Sequence, residues 1–270
     1  MARIALFQSC TGIDPAANAR ALVEAIAKAS DGGAQMLFTP EMSGLLDRDS
    51  GRAAQNLLSE EEDEVLAQCR EAASSHGLWL HLGSLAVRGE GQKLANRSFV
   101  IDPAGAIRAR YDKIHLFDVD LPTGESWRES AVYRPGEGAV VVEGTPVGRL
   151  GLAICYDLRF PDLFARLAEA GAETIALPAA FTVPTGRAHW EILLRARAIE
   201  AGAFVVAAAQ SGRHADGRET YGHSLVAGPW GELLLDMGEE AGVGFAEIDL
   251  ARVGEVRRRL PSLSHRRPIP

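Results

Sequence analysis

Residues 33–40 read GAQMLFTP and residues 171–178 read GAETIALP, sharing an opening Gly-Ala and a closing Pro at an offset of 138, from 33 to 171. Residues 98–107, SFVIDPAGAI, and residues 224–233, SLVAGPWGEL, share Ser-x-Val-x-x-Pro-x-Gly-x-aliphatic at an offset of 126, from 98 to 224. In the second pair Pro presets φ and Gly tolerates positive φ, so each member is expected to be a hairpin. Two matches in the same order imply two related halves, each a strand-helix-strand unit followed by a hairpin.

The periodicity agrees with such halves. Arg3–Gln8 reads as a buried strand, Pro15–Ser30 as an Ala-rich amphipathic helix and Met36–Thr39 as a second buried strand. A helix is expected from a capping box at Ser59 and Glu62 to about His76, followed by a strand at Leu78–Leu82. The second half repeats the alternation, with strands at Arg149–Ile154, Thr174–Leu177 and Phe204–Ala209 and helices at Leu163–Ala170 and His189–Glu200. The class is α/β. A single doubly wound sheet is one solution, but frequent hairpins favour two sheets packed face to face with helices outside, a four-layer αββα sandwich of two pseudo-symmetric halves. No Ser-, Gly- or Pro-rich linker divides the chain, so residues 1–270 are expected to form one domain with a C-terminal tail from about residue 255.

A formal net charge of -8 disfavours nucleic acid or an anionic membrane as the main partner. The exception is the cluster Arg257–Arg259 with Arg266 and Arg267, read as a solvated or interface-lining tail. No apolar run approaches the roughly 20 residues of a membrane span, and a cytoplasmic protein is expected. Cys10, Cys69 and Cys155 have no metal-ligand spacing and are expected to be free thiols.

Cys155 stands where an apolar strand gives way to charge, in GLAICYDLRFPDL. A strand end followed by a sharp turn would hold the thiol out as a nucleophile near backbone N–H groups, yet free cysteine is also among the most buried residue types, and both readings stand. A nucleophilic thiol needs a base or a cation beside it. His115, His189 and His223 lie in no setting that marks a Cys-activating base and read as structural histidines. Glu41, at a strand end in FTPEMSG, and Lys113, a single lysine in RYDKIHLFDVD, are unusual in position, although each alone reads as a salt-bridge residue.

Glu41 after Phe-Thr-Pro, Lys113 in YDKIHLFD and Cys155 in ICYDLRFP, in that order, resemble the nitrilase superfamily of carbon-nitrogen hydrolases. SWRES at 126–130, RAHWEILLRARAIE at 187–200 and YGHSLVAGPWGE at 221–232 extend the resemblance over essentially the whole chain. It implies an αββα sandwich, a homodimer or larger oligomer, no metal or organic cofactor, and a Glu-Lys-Cys triad. Carried over, Cys155 is the nucleophile, Glu41 the general base, Lys113 the cation near the carbonyl oxygen, and Glu129 a second carboxylate that orients the lysine. Within the family the chain is most similar to the Nit branch, whose deaminated-glutathione amidases cleave a 2-oxo amide to 2-oxoglutarate and cysteinylglycine, with ω-amidases as the near alternative and a non-catalytic scaffold of the same fold as the non-enzyme one. A small anionic amide substrate calls for cationic groups, and Arg159 and Arg187 are the candidates, with Tyr156 and Phe181 as wall residues.

Overall fold

The computed structural model describes residues 1–89, 91, 93–120, 124 and 126–267; residues 268–270, the end of the expected C-terminal tail, lie outside them. The first half runs β1 (Ala2–Gln8), α1 (Pro15–Asp31), β2 (Met36–Phe38), α2 (Ser50–Ala53), α3 (Glu64–His76), β3 (Trp79–Arg88), β4 (Leu94–Ile101) and β5 (Ile107–Asp112). A short hairpin follows, β6 (Asp118–Asp120) and β7 (Ser126–Arg128), and then β8 (Val140–Thr145). The second half continues with β9 (Gly148–Leu152), α4 (Pro161–Glu169), β10 (Thr174–Ala176), α5 (Val183–Ala201) and β11 (Phe204–Ala207). After the small hairpin β12 (Ser211–Arg213) and β13 (Glu219–Tyr221) come β14 (Leu225–Ala227), β15 (Leu233–Asp236), β16 (Gly242–Ile248) and α6 (Ala251–Arg259).

These strands form two six-stranded sheets, ordered β16-β1-β2-β3-β4-β5 and β15-β14-β11-β10-β9-β8. Each has three parallel central strands, a hairpin beyond the third and an antiparallel strand beside the first. Both internally similar segment pairs fall on matching elements, β2 with β10 and the β4–β5 turn with the β14–β15 turn. In register, Ile4 lies opposite Met36 in the first half and Leu150 opposite Thr174 in the second.

Alternation along the strands builds the layers. Ile4, Leu6, Met36 and Phe38 share a buried core with Leu150, Leu152 and Ile175, while the intervening Ala5 and Leu37 pack with Leu22 and Ile26 of α1 and Leu66 and Cys69 of α3. Leu167 of α4 and Leu194 of α5 cover the other sheet. The result is the helix-sheet-sheet-helix sandwich. Among the described residues no helix is long and apolar enough to cross a membrane.

Two helix starts differ from the sequence expectation. Ser59 and Glu62 bond each other side chain to side chain at 3.0 Å in the preceding turn, and α3 begins later, where the Asp63 carboxylate accepts from the Leu66 N–H at 2.8 Å. A carboxylate is the stronger partner for the orphan N–H groups of a helix start. Helix α5 begins at Val183, six residues before His189, with a proline in its first turn where no intrahelical N–H is needed.

Candidate active site

Glu41 follows β2 by three residues, and β3 is shaped to receive its loop. The β3 register shifts between Leu82 and Leu85. Inside that bulge a Cβ on Gly83 would collide with the carbonyl oxygens of Thr39 and Pro40. Without it the Gly83 N–H reaches Thr39 Oγ1 at 2.9 Å, and Ser84 Oγ accepts from the Met42 N–H at 2.9 Å. Glu41 is thus held between two strands of one sheet.

Cys155 stands just past the end of β9 and opens a tight turn, Cys155–Arg159, with φ of 48°. A left-handed cysteine is uncommon and costs free energy unless its surroundings over-determine it. Asp157 supplies the constraint. Its fully buried carboxylate accepts from the Ile154 N–H at 2.9 Å, Tyr111 Oη at 2.7 Å and the His115 N–H at 3.1 Å, and pairs with His115 Nδ1 at 2.7 Å. The Cys155 N–H is taken by the Pro178 carbonyl at 2.9 Å, which ties the turn to the end of β10.

Lys113, one residue past β5, joins the two carboxylates. Its Nζ lies 3.0 Å from Glu41 Oε1 and 2.9 Å from Glu129 Oε2, and its side chain is only 3% exposed. Asn96 Nδ2 donates to Glu41 Oε1 at 2.9 Å and to Glu129 Oε1 at 3.3 Å. The Ala180 N–H donates to Glu41 Oε2 at 3.0 Å, and the Phe117 N–H to Glu129 Oε2 at 2.6 Å. Both carboxylates are therefore fixed by donors suited to their ionised form.

The cluster's charge explains the protonation of the thiol. Burial pushes the Cys155 thiol well up from its ordinary value and the Glu41 carboxylate adds to that, while the Lys113 ammonium opposes it. Burial works against the Lys113 ammonium, but Glu129 and Glu41 outweigh it and hold the group well above its usual range. Two carboxylates and one ammonium already leave a net negative charge, so a resting thiolate would add a second beside them. Burial and the Glu41 charge thus both favour the neutral thiol.

The cluster opens into a cavity of about 800 Å³ whose lining includes Glu41, Lys113, Glu129 and Cys155. Tyr156, Arg159 and Phe181 line it as the sequence suggests, and the Arg159 guanidinium lies 5.9 Å from the Tyr156 ring and 5.6 Å from the Phe181 ring. Arg187 does not line it. Because α5 starts at Val183, Arg187 falls on an exposed helix face, and the expected second arginine is a misplacement. The three histidines have structural partners: His115 stacks on Phe160 at 3.6 Å while pairing with Asp157, His189 Nδ1 lies 3.3 Å from Arg159, and His223 Nδ1 lies 3.0 Å from Asp236. Asn96, Asp157 and the Gly83–Ser84 bulge were not singled out from sequence. Only Asp157, a charge within two residues of Cys155, carries a local signal.

Comparison with known proteins adds a family to this geometry. A family model described as carbon-nitrogen hydrolase matches residues 3–258. A deaminated glutathione amidase of Rattus norvegicus is 42% identical over 256 residues, 93% of this chain and 78% of that protein. A protein of the same name from Yersinia enterocolitica is 40% identical over 269 residues, covering 98% of this chain and 93% of its own. The crystal structure of the Caenorhabditis elegans NitFhit protein superposes with a TM-score of 0.91 at 39% identity, over 98% of this chain and 65% of that one.

Proposed function

Because the chain belongs to the carbon-nitrogen hydrolase family, the nitrilase superfamily, we propose that it is a thiol amidase that cleaves deaminated glutathione into 2-oxoglutarate and cysteinylglycine. The observation that carries this reading is the buried Glu41–Lys113–Glu129 network beside Cys155, all lining one cavity. Relatives named deaminated glutathione amidase, similar over nearly the whole chain, support the choice of amide.

Glu41 takes the thiol proton as sulfur attacks the amide carbon, so charge moves from the thiol to the new oxyanion rather than appearing as a free thiolate. The oxyanion is met by Lys113 Nζ and the Tyr156 N–H; one such donor supplies on the order of 3 kcal/mol of barrier lowering. Glu41 then passes its proton to the departing nitrogen, the C–N bond breaks, and the dipeptide amine leaves an acyl thioester on Cys155. Water gives a proton to Glu41 and attacks the thioester carbon. The C–S bond breaks, the sulfur recovers the proton and the acid departs. Glu129 orients Lys113 throughout, and Arg159 meets the carboxylate of the 2-oxo acyl group.

Deaminated glutathione and 2-oxoglutaramate, compared by kcat/KM, test the assignment; a large excess for 2-oxoglutaramate would make the enzyme an ω-amidase. Intact-mass analysis should show a 2-oxoglutaryl adduct that vanishes in Cys155→Ala. We also propose that the protein works as a homodimer, supported by an apolar cleft lined by Ile199, Trp230 and Leu260, which are 45%, 57% and 51% exposed.

A further inference from the structure

The mouth of the cavity is cationic although the chain as a whole is acidic. Beyond the reactive cluster, the described residues that line it include six arginines and lysines but only two carboxylates, Asp47 and Glu219. Two of the cations, Arg48 and Arg218, converge on one ring: their guanidinium carbons lie 5.7 and 5.3 Å from the Trp127 ring centre. Arg48 comes from the loop after β2, Trp127 from β7 and Arg218 from the turn of β12–β13. The hairpins β6–β7 and β12–β13 lie outside both six-stranded sheets. The two hairpins contribute Trp127 and Arg218 to the cavity wall.

Asp216, with its side chain fully buried, organises the pair. It meets Arg218 through Nε and Nη2, both at 2.6 Å, accepts from the Arg48 N–H at 2.9 Å, and lies 3.9 Å from Arg48 Nε. Nη1 of Arg218 lies outside that pair. Asp47, the nearby carboxylate, is held bidentately by Arg52 at 2.6 and 2.8 Å. The Arg218 charge acts both on Tyr133, which also feels Glu129, Glu41 and Lys113, and on Asp47 at the rim. Arg218 lines the same cavity as the reactive cluster.

The polarity of the substrate follows from Glu41. A leaving nitrogen protonated by Glu41 must begin at that carboxylate, and the residues that follow Glu41, including Met42, Leu45 and Arg48, line the same cavity. Two further residues of extended chain carry the dipeptide roughly 7 Å outward. We propose that Arg218, with Arg48 over the same Trp127 ring, is the specificity-determining residue for the leaving group and binds the C-terminal carboxylate of the dipeptide amine. This rests on the amidase reading above and adds to it a reason for preferring a peptide leaving group over ammonia. A guanidinium held by a buried carboxylate and an aromatic face is already ordered before substrate arrives, which lowers the entropic cost of binding.

The test is a ratio: kcat/KM for deaminated glutathione divided by kcat/KM for the same molecule with its terminal carboxylate converted to a carboxamide. The wild-type ratio should be about 10- to 100-fold, the range for one charge-assisted hydrogen bond, and should sit mainly in KM. Arg218→Gln should bring it close to unity, and Arg48→Gln, an exposed position that does not risk the fold, should reduce it in part. A wild-type ratio near unity overturns the inference without any variant, as does an undiminished ratio in Arg218→Gln. If the wild type cleaves neither the acid, the carboxamide nor 2-oxoglutaramate, the amidase reading falls and this inference with it; if it cleaves all three with no preference, only the inference falls.

Discussion

Removing the Lys113 ammonium leaves Glu41 and Glu129 buried, sharing the Asn96 amide, with no cation between them. Lys113→Ala should therefore cost about 3–5 kcal/mol of stability, the usual penalty for stranding a buried charge, as well as turnover. His115→Ala is the contrasting case. It should loosen the Asp157 hinge under Cys155 and lower stability by about 1–3 kcal/mol, while the enzyme still turns over. Urea melts and steady-state rates on both variants separate the roles; abolished turnover in His115→Ala with Lys113→Ala active would instead make the enzyme a Cys-His hydrolase. A third residue contributes to the acid sensitivity. Burial pushes the His81 imidazole down to about 3 from 6.5. The unfolded chain takes up that proton first, so the stability His81 contributes is complete above 6.5 and is lost as pH falls toward the folded value. The slope is at most about 1.4 kcal/mol per pH unit. His81→Gln should flatten the pH dependence of the urea midpoint across that interval, and an unchanged slope would show that the ring is not titrating there.

At the scale of elements, the Gly83 bulge in β3 determines where Glu41 sits. Gly83→Ala forces a methyl group onto the Thr39 and Pro40 carbonyls, so the Glu41 loop must move or β3 must bend. We expect a stability loss of about 1–3 kcal/mol and a fall in kcat/KM on the order of 100-fold, because small displacements of a catalytic group are costly. A variant with wild-type kcat/KM would show that the loop tolerates the shift. This element also marks what the sequence could disclose. Glu41 and Cys155 each stand just past an apolar strand, where charge interrupts the run, and Lys113 is a single lysine just past β5; these are visible residue by residue. The Gly83–Ser84 bulge, the Asn96 bridge and the stacking of Arg48 and Arg218 on Trp127 depend on segments far apart in the chain, which no local pattern encodes. Arg187 was misplaced for a related reason: the true start of α5 lies at Val183, and the shift carries that side chain out of the site.

For the whole molecule, the prominent surface feature is apolar. Trp230 and Leu260 are 57% and 51% exposed, and both line a cleft with Ile199 between α5, α6 and the β14–β15 turn. Sedimentation velocity at micromolar concentration should give twice the 28.9 kDa of one chain for the wild type, and the single-chain mass for Trp230→Glu. A wild type that stays at one chain would remove the dimer from the proposal. The sandwich itself was legible from the two internally similar segment pairs, because a duplicated unit has to bury both copies of the same apolar face.

The registers of the two halves bear on how many reactive centres one chain can hold. Aligning Ile4 with Leu150 places Ser9 in the first half where Cys155 stands in the second, and aligning Met36 with Thr174 places Ala179 where Glu41 stands. Ser9 is buried, and its hydroxyl is occupied by Gln210 Oε1 at 3.1 Å and Thr11 Oγ1 at 3.2 Å. The fold offers two equivalent perches, but one carries the thiol and the other a capped hydroxyl, with an alanine at the position equivalent to the general base. Active-site titration should accordingly count one acyl equivalent per 270 residues, a twofold scaffold with singular chemistry.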